Sequence, residues 1–210
     1  DLTWEDENIP AIVQAWQLGS KSGDAIAQVL YGDYNPSGKL TMSFPRNVGQ
    51  VPVYYNYKNT GRPSTSIEQV TNSGYADVEN SPLYSFGYGL SYTEFTYSDF
   101  EISSDSMTKD SKINASVTVS NTGKFKGEEV VQLYLRDIVG SIARPMKELK
   151  GFQKIELAPG ESKVVNFEID SSLLEFYTYE NKWEAEVGKF HAFIGSNSDV
   201  SDFKEFHLVK

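Results

Sequence analysis

Hydrophobic and polar positions follow two different rhythms along this chain. In the first thirty residues Ile9, Ile12, Val13 and Trp16 recur at helical spacing, which predicts a helix over 8–18 with Asn8 as its cap, Pro10 in its first turn and Gly19 beyond its end. A second helix is predicted over about 23–31, with Asp24 at its positive end, Ala25, Ile26, Val29 and Leu30 apolar, and Gly32 as the stop. The turn Asn35–Leu40 then leads toward a short strand near Leu40–Phe44. From about Phe95 the period drops to two. Ile113, Ala115, Val117 and Val119 alternate with polar residues, and after the turn 121–127 Val131, Leu133 and Leu135 do the same. Further strands are predicted near 149–157, 164–169, 183–187, 190–194 and 203–208, with turns at 158–161 and 186–189.

About seven short strands with regular turns point to an immunoglobulin-like or fibronectin-type sandwich. Two short helices and one or two strands cannot cover one another, because a lone strand needs partners and even a two-stranded hairpin is marginal in water. The first region is therefore expected to take its missing sheet from residues upstream of Asp1 or from another chain. The stretch Ser81–Phe95 separates the regions, with Tyr84, Phe86, Tyr88, Tyr92 and Phe95 set around Gly87 and Gly89. Such a segment reads as a packed hinge. Residues 46–80, with Tyr54, Tyr55 and Tyr57, read as a long extended connection of the kind that shapes binding faces. Most other Tyr and Phe side chains are assigned to packing.

Composition narrows the function classes. A net charge of −10 with no basic cluster argues against nucleic-acid binding. No apolar run approaches the roughly 20 residues that span a membrane. With no cysteine there is no disulfide, thiol nucleophile or Cys-based zinc site. His191 and His207 are too few and too far apart in sequence to suggest a metal site, and no cofactor is expected. The turn 33–41 lacks the leading glycine of a phosphate loop, and the run from Gly87 lacks the third glycine of a dinucleotide fingerprint. Glu5, Asp6 and Glu7 are read as solvated residues just before a helix, and Glu128 and Glu129 as solvated residues beside a turn. The chain opens on Asp1 with neither initiator Met nor signal peptide, so a processed or excised piece is expected.

The motifs in order carry a resemblance. The segments 15–45 (AWQLGSKSGDAIAQVLYGDYNPSGKLTMSFP), 52–63 (PVYYNYKNTGRP), 82–95 (PLYSFGYGLSYTEF), 119–137, 144–162 and 186–198 resemble the C-terminal end of glycoside hydrolase family 3, in its bacterial periplasmic β-glucosidase branch. The resemblance implies an α+β chain. Residues 1–60 would be the last part of an α/β sandwich domain, 61–94 a linker with the aromatic glycine hinge, and 95–210 a fibronectin type III-like domain. It implies an exo-acting retaining β-glucosidase whose nucleophilic Asp and acid/base Glu lie outside this chain, so no catalytic residue is carried over. The expected partners are the N-terminal barrel, the rest of the α/β domain and a β-glucoside or oligosaccharide substrate. A homodimer contact and a periplasmic or secreted location are also expected. Tyr54 and Tyr55 are the candidates for the rim of a substrate pocket. The competing reading is a non-catalytic carbohydrate-binding or interaction module, against which the incomplete first region argues.

Overall fold

The computed structural model describes residues 1–63 and 72–210. Parts of the 46–80 connection and of the 61–94 linker therefore lie outside the described residues. The described chain is α+β: two short helices, then a β-sandwich.

The sandwich is built from β1 (Phe95–Ile102), β2 (Ser106–Met107), β3 (Ile113–Asn121), β4 (Gly127–Asp137), β5 (Glu148–Leu157), β6 (Ser162–Ile169), β9 (Gly188–Gly195) and β10 (Lys204–Leu208). A small hairpin of β7 (Phe176–Tyr177) and β8 (Trp183–Glu184) is paired separately. One sheet runs β1-β3-β6 and the other β2-β10-β9-β4-β5. Strand alternation sends Ile113, Ala115, Val117 and Val119 of β3 inward, where they meet Val131, Leu133 and Leu135 of β4 and Phe190, Ala192 and Ile194 of β9. In-sheet pairs such as Val117 opposite Val165 and Phe190 opposite Phe206 fix the register. The turn 121–127 carries the chain from one sheet to the other. Asn121 holds it, donating to the carbonyls of Phe125 (2.8 Å) and Leu157 (3.0 Å) and accepting from Thr93 Oγ1 (2.7 Å).

The first region departs from its hydrophobic rhythm. α1 covers Thr3–Asn8 and ends where the sequence pattern predicts a helix to start. Ile9 is extended (φ −113°, ψ 127°) because the ring of Pro10 disfavours helical backbone in the residue before it. Residues 9–18 are not helical, and Ile9, Ile12, Val13, Trp16 and Leu18 are exposed. Glu5 and Asp6 thus lie in the first turn of α1 rather than ahead of a helix. α2 (Ser22–Tyr31) forms as its periodicity predicts and stops on Gly32 in the left-handed region (φ 81°), but buries none of its residues.

The predicted strand at 40–44 is instead an irregular ribbon against the hinge. Leu40 N–H donates to Tyr88 O and Gly87 N–H to Leu40 O, while Phe44 N–H donates to Tyr84 O, each at 2.8 Å. With a single partner the ribbon does not extend into a sheet. The hinge is densely packed. Gly87 sits at φ 80°, and a Cβ there would stand 2.2 Å from Gln132 Oε1; one on Gly89 would stand 2.3 Å from Gly38 O. Both positions require glycine.

Candidate functional site

The 52–58 segment, which carries the candidate rim residues, is mounted on the outer face of β4 and the start of β5. It follows a cis Val51–Pro52 bond. Tyr55 lies ring on ring with Phe86 of the hinge (centroids 4.2 Å apart) and meets Tyr134 of β4 edge-on at 6.0 Å. Its hydroxyl accepts from the backbone N–H of Leu149 at 3.2 Å. Tyr57 O accepts from Met146 N–H at 2.8 Å, and Lys58 bridges to Pro145. These anchors turn Tyr55 inward as a packing residue. Its neighbour Tyr54 points outward and is 63% exposed. Behind them Gln50, which is buried, accepts from Arg46 N–H (2.6 Å) and donates to Glu79 O (2.7 Å), tying the connection to its return segment.

Tyr134 belongs to the outward register of β4, yet it is fully buried because Tyr55 and the hinge cover it. Its hydroxyl donates to Gln132 Oε1 at 2.5 Å. Gln132 Nε2 in turn donates to Gly87 O (3.2 Å) and Ser196 O (2.6 Å). Burial pushes the Tyr134 phenol pKa upward, so the network is held together by a neutral hydroxyl.

Asp6 and Glu7 are exposed, as their solvated reading expects, whereas Glu129 is buried. Asp6 accepts from Tyr84 OH at 2.5 Å, and burial, followed by that hydrogen bond, pushes the Tyr84 pKa up to about 12. Glu128 accepts from Tyr34, Ser37 and Lys154, the last at 2.7 Å; the Lys154 hydrogen bond is the main reason its carboxyl pKa is lowered. Glu129 is buried, paired with Lys39 at 3.0 Å and accepting from Tyr97 OH at 2.8 Å. Solvation fails for Glu129 because it shares the core-facing register of Val131, Leu133 and Leu135.

Both histidines lie on the β9–β10 face beside Glu205, with Nε2 of His191 at 3.4 Å and of His207 at 4.0 Å from its carboxylate. His191 also lies flat on Phe203 at 3.9 Å, and burial lowers its pKa despite the carboxylate. Most of the other Tyr and Phe rings are at least partly buried, as their assignment to packing expects, but exceptions reach beyond the 54–57 cluster. Tyr31, Tyr34, Tyr92, Tyr179 and Phe152 are among the exposed rings. Tyr31 and Tyr34 belong to the first region, beside the exposed Leu30 of α2.

Comparison with known proteins agrees with this two-part layout. Residues 1–92 match the glycosyl hydrolase family 3 C-terminal domain, and residues 129–198 match the fibronectin type III-like domain. The chain belongs to glycoside hydrolase family 3, as a C-terminal portion of such a protein. The periplasmic β-glucosidase of Salmonella typhimurium is 54% identical over 209 residues, covering 99% of this chain and 27% of that protein. A putative β-xylosidase of Formosa agariphila is 44% identical over 204 residues, covering 97% of this chain and 26% of that protein. The crystal structure of a Listeria innocua β-glucosidase in complex with glucose matches with a TM-score of 0.91 at 39% identity, over 100% of this chain and 29% of that one. The chain spans little more than a quarter of the length of these relatives. Among the described residues no helix is long and apolar enough to cross a membrane.

Proposed function

We propose that this chain is the C-terminal part of an exo-acting, retaining β-glucosidase that removes terminal β-D-glucosyl residues in the periplasm. The observation that carries this reading is the 54% identity, over almost the whole chain, with a periplasmic β-glucosidase. Retention needs two carboxyl groups about 5 Å apart, one as nucleophile and one as acid/base. Both are assigned to residues outside this chain, and the 210 residues supply support. The exposed apolar residues of 9–18 and α2 support that assignment, since they form a face suited to the rest of an α/β domain. Tyr54, exposed on a segment pinned from behind by Tyr55, is assigned to the pocket rim, with Tyr55 as its anchor.

The test is hydrolysis of p-nitrophenyl β-glucoside and β-xyloside by the longer protein that contains these residues, with the anomer of the first-formed product read by NMR. Preference for the glucoside with β-glucose released first supports the reading, and preference for the xyloside or release of the α-anomer contradicts it. Tyr54→Ala should raise KM and leave kcat and folding unchanged; unaltered kinetics would remove Tyr54 from the rim.

A further inference from the structure

The turn Asp33–Leu40 grips the sandwich with four side chains. Tyr34 OH and Ser37 Oγ donate to Glu128 at 3.1 and 3.2 Å. Asn35 Nδ2 donates to Lys126 O at 3.0 Å, while its Oδ1 accepts from Ser91 Oγ and Tyr92 N–H, both at 2.8 Å. Lys39 reaches furthest. Its ammonium donates to the Gly89 carbonyl of the hinge at 3.0 Å and reaches both carboxylate oxygens of Glu129 of β4, at 3.0 Å (Oε2) and 3.2 Å (Oε1), the latter also accepting from Tyr97 OH of β1. One nitrogen thereby joins the first region, the hinge and both sheets of the sandwich.

The pair is nearly dry, with side-chain exposures of 11% for Lys39 and 5% for Glu129. A buried charge is tolerated only while its partner is in place, so neither can be withdrawn alone without strong destabilisation. Glu129 sits in the inward register of β4, at the end of the inter-sheet space, where undocking would leave it with Tyr97 as its remaining described partner. The contact is therefore all-or-none: the turn is seated with its ammonium on Glu129, or the carboxylate must be hydrated.

We propose that Lys39 is the bolt of an interdomain lock, with Glu129, Tyr97 and the Gly89 carbonyl as its socket. While the bolt is seated, the first region and the sandwich open and unfold as one body. The 52–58 segment, anchored on Leu149 and Met146 of the sandwich side, then keeps a fixed place relative to the first region. Without the bolt the sandwich turns on the 81–94 hinge.

The test is urea unfolding of the full chain followed by hydrogen-exchange mass spectrometry, which reads the two regions separately. Wild type should show one shared midpoint. Lys39→Met should raise opening of the first region on the order of 100-fold and move it to lower urea, while the sandwich keeps its own midpoint. Glu129→Gln, which keeps the shape of the side chain, should do the same and carries the comparison alone if Lys39→Met does not fold. The double variant should lose no more than either single one, because both break one junction. Lys154→Met, which removes a partner of Glu128 within the sandwich, should leave the regions coupled. Regions that still melt together at the wild-type midpoint in Lys39→Met would overturn the proposal, as would additive losses in the double variant. No catalytic activity is measured, so the outcome is independent of the glycosidase reading.

Discussion

The sandwich and the region before the hinge have similar access to apolar residues but use them in opposite ways. In the sandwich the apolar positions of each strand face another strand of the same chain, and every residue of the main core cluster lies between Met107 and Leu208. In the first region, neither helix buries a residue, and Val13, Trp16 and Leu30 stand exposed. The difference is one of partnership rather than composition. Two sheets supply each other with a face, whereas no described residue buries the apolar side chains of α2 and of the non-helical 9–18 segment. What secures the first region here is a set of polar contacts through Asn35, Lys39 and the hinge backbone together with the Tyr55–Phe86 ring stack, and it holds position without building a core.

The comparison can be broken most forcefully in the sandwich. Phe206 is fully buried and stacks on Phe190 at 5.5 Å. Phe206→Ala should cost about 3–5 kcal/mol in an equilibrium urea melt, the range for emptying a packed aromatic site. Asn121→Ala should cost about 2–3 kcal/mol, because it strips partners from the Phe125 and Leu157 carbonyls and from Thr93 in a site closed to water. A thermal melt series would show whether the turn between the sheets depends on that one amide.

A third effect is set by pH. Burial, reinforced by the adjacent Glu129 carboxylate, raises the Tyr97 phenol pKa above its ordinary value of about 10, and burial does the same for Tyr134. A raised folded-state pKa stabilises fully below the unfolded value and is lost as pH climbs above it. Stability should therefore decline above about pH 10, and Tyr97→Phe should make that decline shallower in alkaline urea titrations. The smallest effect belongs to the first region. Leu30→Ser, at a side chain 63% exposed, should change the stability of this chain by less than about 0.5 kcal/mol. A larger loss from the same substitution in the longer protein would show that the side chain is covered there.

How far the sequence can be read tracks the same divide. Period-two alternation marks β3, β4, β6 and β9 because each keeps one face on the core over its whole length. β1 is less legible: a register shift between Ser98 and Glu101, with Asp99 at φ 53°, breaks the phase of its Phe95, Tyr97, Phe100 and Ile102. The helix expected over 8–18 misleads since Ile9, Ile12, Val13 and Trp16 have helical spacing without a surface to bury against, and Pro10 decides the backbone locally. Glu129 was readable in principle. A carboxylate in phase with Val131, Leu133 and Leu135 must be either a mistake of register or a charge with a buried partner. That partner, Lys39, lies ninety residues earlier, and no local pattern links the two. For the 52–58 segment, the tyrosine cluster is visible in sequence, but which ring faces in is set by Phe86 and Leu149, distant in the chain.

The most direct measurement is hydroxyl-radical footprinting of side chains on this chain and on the longer family 3 protein that contains it. The exposed side chains of Val13, Trp16 and Leu30 should be labelled readily in the chain alone and become shielded in the longer protein, with the buried side chains of β3, β4 and β9 equally shielded in both. Equal protection of the first region in the two samples would contradict the claim that its apolar face belongs to a partner layer.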